Sequence, residues 1–236
     1  DILLGAAIII AAPAVNRVGE AKAQQIHPDQ VVVDSPFVHD PVLAYENGKY
    51  YLYSTGHGIS QMTSADRKHW TLCREGVLKN HEIPAWTHDS VPGFHTHIWA
   101  PDVIHYRNKW YLAYSCSTFG KNTSAIGLLS NTSLANMNGW KDEGCILASE
   151  GKRDNWNAID PNFVIDDKGN PWMTWGSFWD GIQLVKLDKK TMHVKKGAKP
   201  QTIARRHAFG DASAEPNPTS KFAGANAIEA PFIMKH

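Results

Sequence analysis

Three acidic residues recur in one setting along the chain: His39-Asp40-Pro41, Ile159-Asp160-Pro161 and Ile228-Glu229-Ala230-Pro231. A carboxylate can draw a proton from water, and a carboxylic acid can give one to a departing group. Two or three such groups held apart are therefore the minimal equipment for acid–base hydrolysis. Ile159, Ile228 and the alanines around Glu229 give two of them apolar neighbours. A carboxyl is costly there unless it is paired or used, and it keeps its proton more readily, as a general acid must. A single Asp-Pro is ordinarily a turn or cap carboxylate. Three acids in one repeated context point instead to chemistry. Asp102 stands on the other side of its proline, in Ala100-Pro101-Asp102, so it is expected to face away and to bond backbone between repeat units.

The elements that must position these acids are legible from self-similarity. Pro41, Pro101 and Pro161 stand 60 residues apart, and a fourth unit opens at Pro231. Eight residues after the first two prolines come Lys49-Tyr50-Tyr51-Leu52-Tyr53 and Lys109-Trp110-Tyr111-Leu112-Ala113; the third unit offers Pro171-Trp172-Met173-Thr174-Trp175. Each unit reads as a short strand, a turn, an aromatic strand and one or two more strands, with third strands at 124–130 and 181–187. Asn47-Gly48 is a strong hairpin signal, because a tight turn needs the positive φ these residues accept. Strand quartets at this period predict an all-β propeller, whose radial blades protect their edges. A seven-stranded sandwich leaves the register unexplained. In a propeller the innermost strand of each blade lines the channel, so equivalent positions converge. Asp40 and Asp160 share the position before the proline, whereas Glu229 is offset by one. Side chains alternate along a strand, so Glu229 needs a local bend to join them.

These residues, with His95-Thr96-His97-Ile98-Trp99-Ala100-Pro101-Asp102-Val103, Ser117-Thr118-Phe119-Gly120, Asn157-Ala158-Ile159-Asp160-Pro161-Asn162-Phe163 and Trp175-Gly176-Ser177-Phe178-Trp179-Asp180-Gly181-Ile182, make the chain resemble family 43 of the glycoside hydrolases. Within that family the resemblance is to endo-α-1,5-L-arabinanases, in order from about Val38 to His236. It implies a five-bladed β-propeller, of which this chain would carry three blades and part of the fourth, with the fifth absent. It implies hydrolysis of internal α-1,5-L-arabinofuranosidic bonds with inversion. Asp40 would be the base, Glu229 the acid, and Asp160 the residue that tunes Glu229 and holds it. Inversion places base and acid roughly 6.5–9.5 Å apart, with room for water between them. Substrate contacts are expected from Trp99, Phe119, Gly120, Asn157, Ser177, Phe178 and Trp179, since a neutral sugar polymer needs aromatics and uncharged hydrogen-bonding groups. Trp110, Tyr111 and Trp172 are read as packing. The alternatives are an exo-acting arabinofuranosidase or xylosidase of the same family, a non-catalytic carbohydrate-binding propeller, and a fragment inactive by itself.

The rest of the sequence sets bounds. With 236 residues, 42% apolar, and a net charge of +1 from scattered Lys and Arg, the chain has a core's worth of material and no nucleic-acid stripe. The expected partner is plant cell-wall arabinan or pectin side chains, met by a monomer without membrane attachment. The apolar run 2–15 followed by Ala21-Lys22-Ala23 reads as a clipped signal peptide over 1–23, with a buried helix as the alternative. The catalytic domain is then 24–236, secreted or periplasmic. Cys73, Cys116 and Cys145 form no disulfide framework. No cofactor is required for the chemistry. His39, His95 and His97 lack an evident further ligand, and the calcium ion implied by the resemblance would be held outside this chain. Asn122-Thr123-Ser124 and Asn131-Thr132-Ser133 match glycosylation acceptors.

Overall fold

The computed structural model describes residues 30–206 and 227–234; the expected signal segment 1–23 lies outside them. The strands are β1 (Gln30–Val33), β2 (Val42–Glu46), β3 (Lys49–Ser54), β4 (Gly56–His57), β5 (Ser60–Ser64) and β6 (Trp70–Cys73). After a short helix α1 (Trp86–Ser90) come β7 (His97–Tyr106), β8 (Lys109–Cys116), β9 (Ser124–Asn131) and β10 (Lys141–Ser149). The last four are β11 (Asn162–Ile165), β12 (Pro171–Trp175), β13 (Ile182–Lys186) and β14 (Gln201–Ala204). All pairings are antiparallel, in three successive sheets ordered β1-β6-β5-β3-β2, β10-β9-β8-β7-β4 and β11-β12-β13-β14. The repeated hairpins are present in the expected register. Asn47 and Gly48 (φ 49° and 81°) turn β2 into β3 with Glu46 opposite Lys49, and Tyr106 faces Lys109 in the next copy.

Two of the sheets exceed four strands. β1 adds along β6, with Val33 opposite Trp70. The two-residue β4 follows β3 within the first repeat and pairs with the start of β7, Gly56 opposite Ile98. Both additions cover backbone groups that an edge strand would leave unpaired.

Alternation along β8 explains how the sheets stack. Leu112 and Tyr114 point into one core with Tyr51, Tyr53 and Ile59 of the first repeat. Tyr111 and Ala113 point into a second core with Phe163, Met173, Trp175 and Val185 of the third. The middle sheet is thus apolar on both faces, and every residue of β9 is buried. Polar clasps accompany these cores. Glu46, at the end of β2, accepts from Trp110 Nε1 at 2.7 Å, Ser133 Oγ at 2.7 Å and Leu134 N at 2.8 Å. Burial works to raise its carboxyl, but these bonds outweigh it and hold the group below the ordinary value. Sixty residues on, Tyr106 Oη donates to Gly169 O across the next junction at 3.0 Å.

Asp102 makes the expected bond to backbone of the next sheet, but it does not face away: it lines the same cavity as Asp40 and Asp160. Buried in β7, it accepts from Phe163 N at 2.6 Å and Asn162 Nδ2 at 3.2 Å in the following sheet. Burial pushes its carboxyl up to about 6, against the pull of those donors. Asn162 repeats the device one junction later, its Oδ1 accepting from Ile233 N at 3.0 Å.

All three cysteines are free, and burial raises the thiols of Cys116 and Cys145. Both glycosylation motifs are occupied by internal contacts. Asn122 and Asn131 are buried, and their Nδ2 groups donate to Asp154 O and Asn136 O. Among the described residues no helix is long and apolar enough to cross a membrane.

Candidate active site

The residue before each repeated proline has left-handed backbone: φ is 49° at Asp40, 39° at Ala100, 57° at Asp160 and 51° at Ala230. That conformation costs a residue with a Cβ about 1–2 kcal/mol, so recurrence in all four units needs restraints. The N–H of Ala100 donates to Thr55 Oγ1 at 2.9 Å, that of Asp160 to Ser115 Oγ at 3.0 Å, and that of Ala230 to Asp160 Oδ2 at 3.3 Å. Ala230, next to Glu229, carries the same kink as the other three positions.

The four kinks converge on a cavity of about 160 Å³. Its walls are four consecutive-residue triplets: Asp40-Pro41-Val42, Ala100-Pro101-Asp102, Asp160-Pro161-Asn162 and Ala230-Pro231-Phe232. Asp160 is half-buried, while Asp40 and Glu229 are exposed. Asp160 is pushed up to about 7, first by burial and then by the negative charges of Asp40 and Glu229, with the Ala230 N–H pulling the other way. The structure therefore brings Asp40 and Glu229 within electrostatic reach of Asp160, whose carboxyl is raised to about 7.

Each outer acid is tethered by a hydroxyl. Ser177 Oγ donates to Glu229 Oε2 at 2.8 Å, the two residues form a β-bridge, and Phe178 N donates to Ile228 O at 2.9 Å. Thr55 Oγ1 donates to Asp40 Oδ2 at 2.8 Å, and His39 Nδ1 meets the same oxygen at 2.7 Å. Thr55 and Ser115 were not expected as site residues; their signal is a hydroxyl at the end of each aromatic strand, 60 residues apart.

The expected substrate contacts fall into different settings. Trp99 is half-buried at the start of β7, its Nε1 donating to His97 Nδ1 at 3.2 Å, and the His97 ring packs 5.2 Å from that of His57. Phe119, 92% exposed, and Gly120, at φ 73° with open space where a Cβ would stand, form a projecting turn. Asn157 is buried, with Oδ1 accepting from Ser124 Oγ at 2.6 Å. Ser177 is buried against Glu229. Phe178 and Trp179 both have left-handed backbone, at φ 56° and 40°, with Phe178 half-buried and Trp179 buried. Among the described residues no three His, Cys, Asp or Glu side chains are grouped as metal ligands. Among the described residues the calcium ion implied by the resemblance has no ligand set.

Repeated strands of an all-β chain bring Asp40 and Asp160 to one small cavity, with Glu229 near enough to raise Asp160, a set of carboxyls suited to acid–base hydrolysis. Residues 30–236 match the family described as glycosyl hydrolases family 43, and the chain belongs to that family. It is 39% identical over 201 residues to an extracellular exo-α-(1→5)-L-arabinofuranosidase of Cellvibrio japonicus, covering 84% of this chain and 55% of the relative. It is 41% identical over 186 residues to an extracellular endo-α-(1→5)-L-arabinanase of Bacillus subtilis, covering 77% and 55%. Among solved structures, an exo-1,5-α-L-arabinanase from a bovine ruminal metagenomic library superposes with a TM-score of 0.74 at 50% identity, over 86% of this chain and 62% of that one. The chain thus spans about half the length of the curated relatives it matches.

Proposed function

We propose that the protein is an exported arabinan hydrolase that cuts internal α-1,5-L-arabinofuranosidic bonds with inversion, on a five-bladed propeller to which these residues contribute three blades and the first strand of a fourth. One observation carries the reading: Asp160 lies within electrostatic reach of Asp40 and Glu229 at the convergence of the repeats, and burial and the crowding of carboxyls let the trio keep a proton near neutrality, which Glu229 carries into the reaction. In the reaction Asp40 takes a proton from water, whose oxygen bonds to the anomeric carbon from one face. The glycosidic C–O bond breaks on the other face, and Glu229 gives its proton to the departing oxygen. Asp160 keeps Glu229 placed through the Ala230 N–H and loads the site electrostatically. Export is supported by the two relatives named extracellular, and a neutral polymer suits a chain of net charge +1.

The endo mode rests on the Ile98-Trp99 and Ser177-Phe178-Trp179 segments. An exo mode is the second reading, supported by the exo names of one relative and one solved structure. Incubation with linear debranched arabinan separates them. A ladder of short oligosaccharides that vanishes in Glu229→Ala is expected; arabinose alone from the outset selects the exo reading. A folded protein that leaves arabinan intact refutes both.

A further inference from the structure

Thr55 occupies a place that neither the acid pattern nor the family match assigns. Its N–H donates to His39 O at 3.0 Å, which fixes the residue beside Asp40. Its hydroxyl donates to Asp40 Oδ2 at 2.8 Å. The same oxygen accepts from Ala100 N at 2.9 Å, in the kink of the following sheet. Thr55 is therefore the joint between two neighbouring pre-proline kinks, one bearing a carboxylate and the other bearing alanine.

The direction of these bonds matters. A hydroxyl that accepts from one group is polarised and donates more strongly to the next. The Ala100 N–H thus reinforces the Thr55 bond to the carboxylate, and it also fixes the rotor, because the hydroxyl hydrogen has one direction left. His39 Nδ1 approaches Oδ2 as well. Both contacts fall on the same carboxylate oxygen, which leaves Oδ1 without a hydrogen bond among the described residues. At the junction of Glu229 a hydroxyl likewise meets a carboxylate, Ser177 on Glu229; at the junction between them Ser115 meets the backbone N–H of Asp160.

Resting on the hydrolytic reading above, we infer that Thr55 is a positioning residue for the base. It holds Asp40 with Oδ2 tied and Oδ1 free to accept the proton of the attacking water, and it couples that orientation to the kink at Ala100. Thr55 touches neither substrate nor water in this role. Removing its hydroxyl should disturb the chemical step and leave substrate binding intact.

The test compares Thr55→Val, which keeps the shape and deletes the hydroxyl, with Thr55→Ser, which keeps the hydroxyl and deletes a methyl. Steady-state rates are measured on linear arabinan using the full chain, or a longer native form if that is the active species. For Thr55→Val, kcat should fall about 10- to 100-fold at unchanged KM, the loss expected for one hydrogen bond to a charged group. Thr55→Ser should recover most of it. Thermal unfolding of both variants identifies a fold defect, and the Ser variant decides the issue if Val unfolds. A Val variant with wild-type kcat, a loss confined to KM, or equal losses in Val and Ser overturns the inference alone. Wild-type protein that leaves arabinan uncut overturns the hydrolytic reading and this inference with it.

Discussion

Replacing Asp160 by Asn removes the carboxyl that burial and two like charges oppose, and keeps an oxygen for the Ala230 N–H. The folded group ionises at about 7 against an ordinary 3.8. Below about pH 4 both folded and unfolded chains carry the proton, so no penalty applies. As pH rises toward 7 the unfolded chain releases its proton freely while the folded chain resists, and stability is lost across that interval. Roughly three pH at 1.36 kcal/mol each gives about 4 kcal/mol as the ceiling. Asp160 is partly open to solvent, and screening trims this to about 1–3 kcal/mol. Asp160→Asn should therefore match the wild type near pH 4 and exceed it by about 1–3 kcal/mol at pH 8.5, while hydrolysing arabinan poorly. Urea unfolding followed by tryptophan fluorescence at pH 4, 5.5, 7 and 8.5 measures the difference. A gap that is independent of pH, or a variant weaker than wild type at pH 8.5, refutes the electrostatic account of the trio.

Three further outcomes are expected. Glu46→Ala strands Trp110 Nε1 and Leu134 N at the junction of the first two sheets, and should cost about 2–4 kcal/mol by urea unfolding; because the Glu46 carboxyl lies below its ordinary value, its contribution in the wild type should fade as pH falls below about 4.5. Asp102→Ala leaves Phe163 N unpaired and should cost about 2–4 kcal/mol, whereas Asp102→Asn, which still accepts that bond, should cost clearly less at pH 8, as thermal melts would report. Glu229→Ala should abolish release of oligosaccharides from linear arabinan while its melting curve stays within a few degrees of the wild type.

Much of this arrangement was readable because it is periodic. The 60-residue spacing of the prolines located β2, β7 and β11 with their hairpin partners, and the Asn47-Gly48 turn follows from backbone sterics alone. The identity of position in Asp40 and Asp160 is likewise a property of register. What could not be read depends on contacts without a period. β1 pairs with β6 across some forty residues, and the two residues of β4 are too few to carry an alternation signal. Glu46 looks like a solvated hairpin acid, yet three-dimensional packing surrounds it with donors from residues 110 to 135. The bond from Ser124 Oγ to Asn157 Oδ1 likewise joins residues 33 apart with no pattern to announce it. The left-handed kinks recur at all four positions, and Ala100 gave no reason to expect one.

That kink at Ala100 separates scaffold from payload. The same backbone turn exists in four copies, and at two of them, the alanine at 100 and the aspartate at 160, the kinked N–H donates to a neighbouring hydroxyl. The architecture thus offers interchangeable sockets around one cavity. Two carry a carboxyl, two carry a methyl group, and the fold tolerates either. Altered chemistry in such a molecule does not require a new fold, only a different side chain in a socket already shaped to present it.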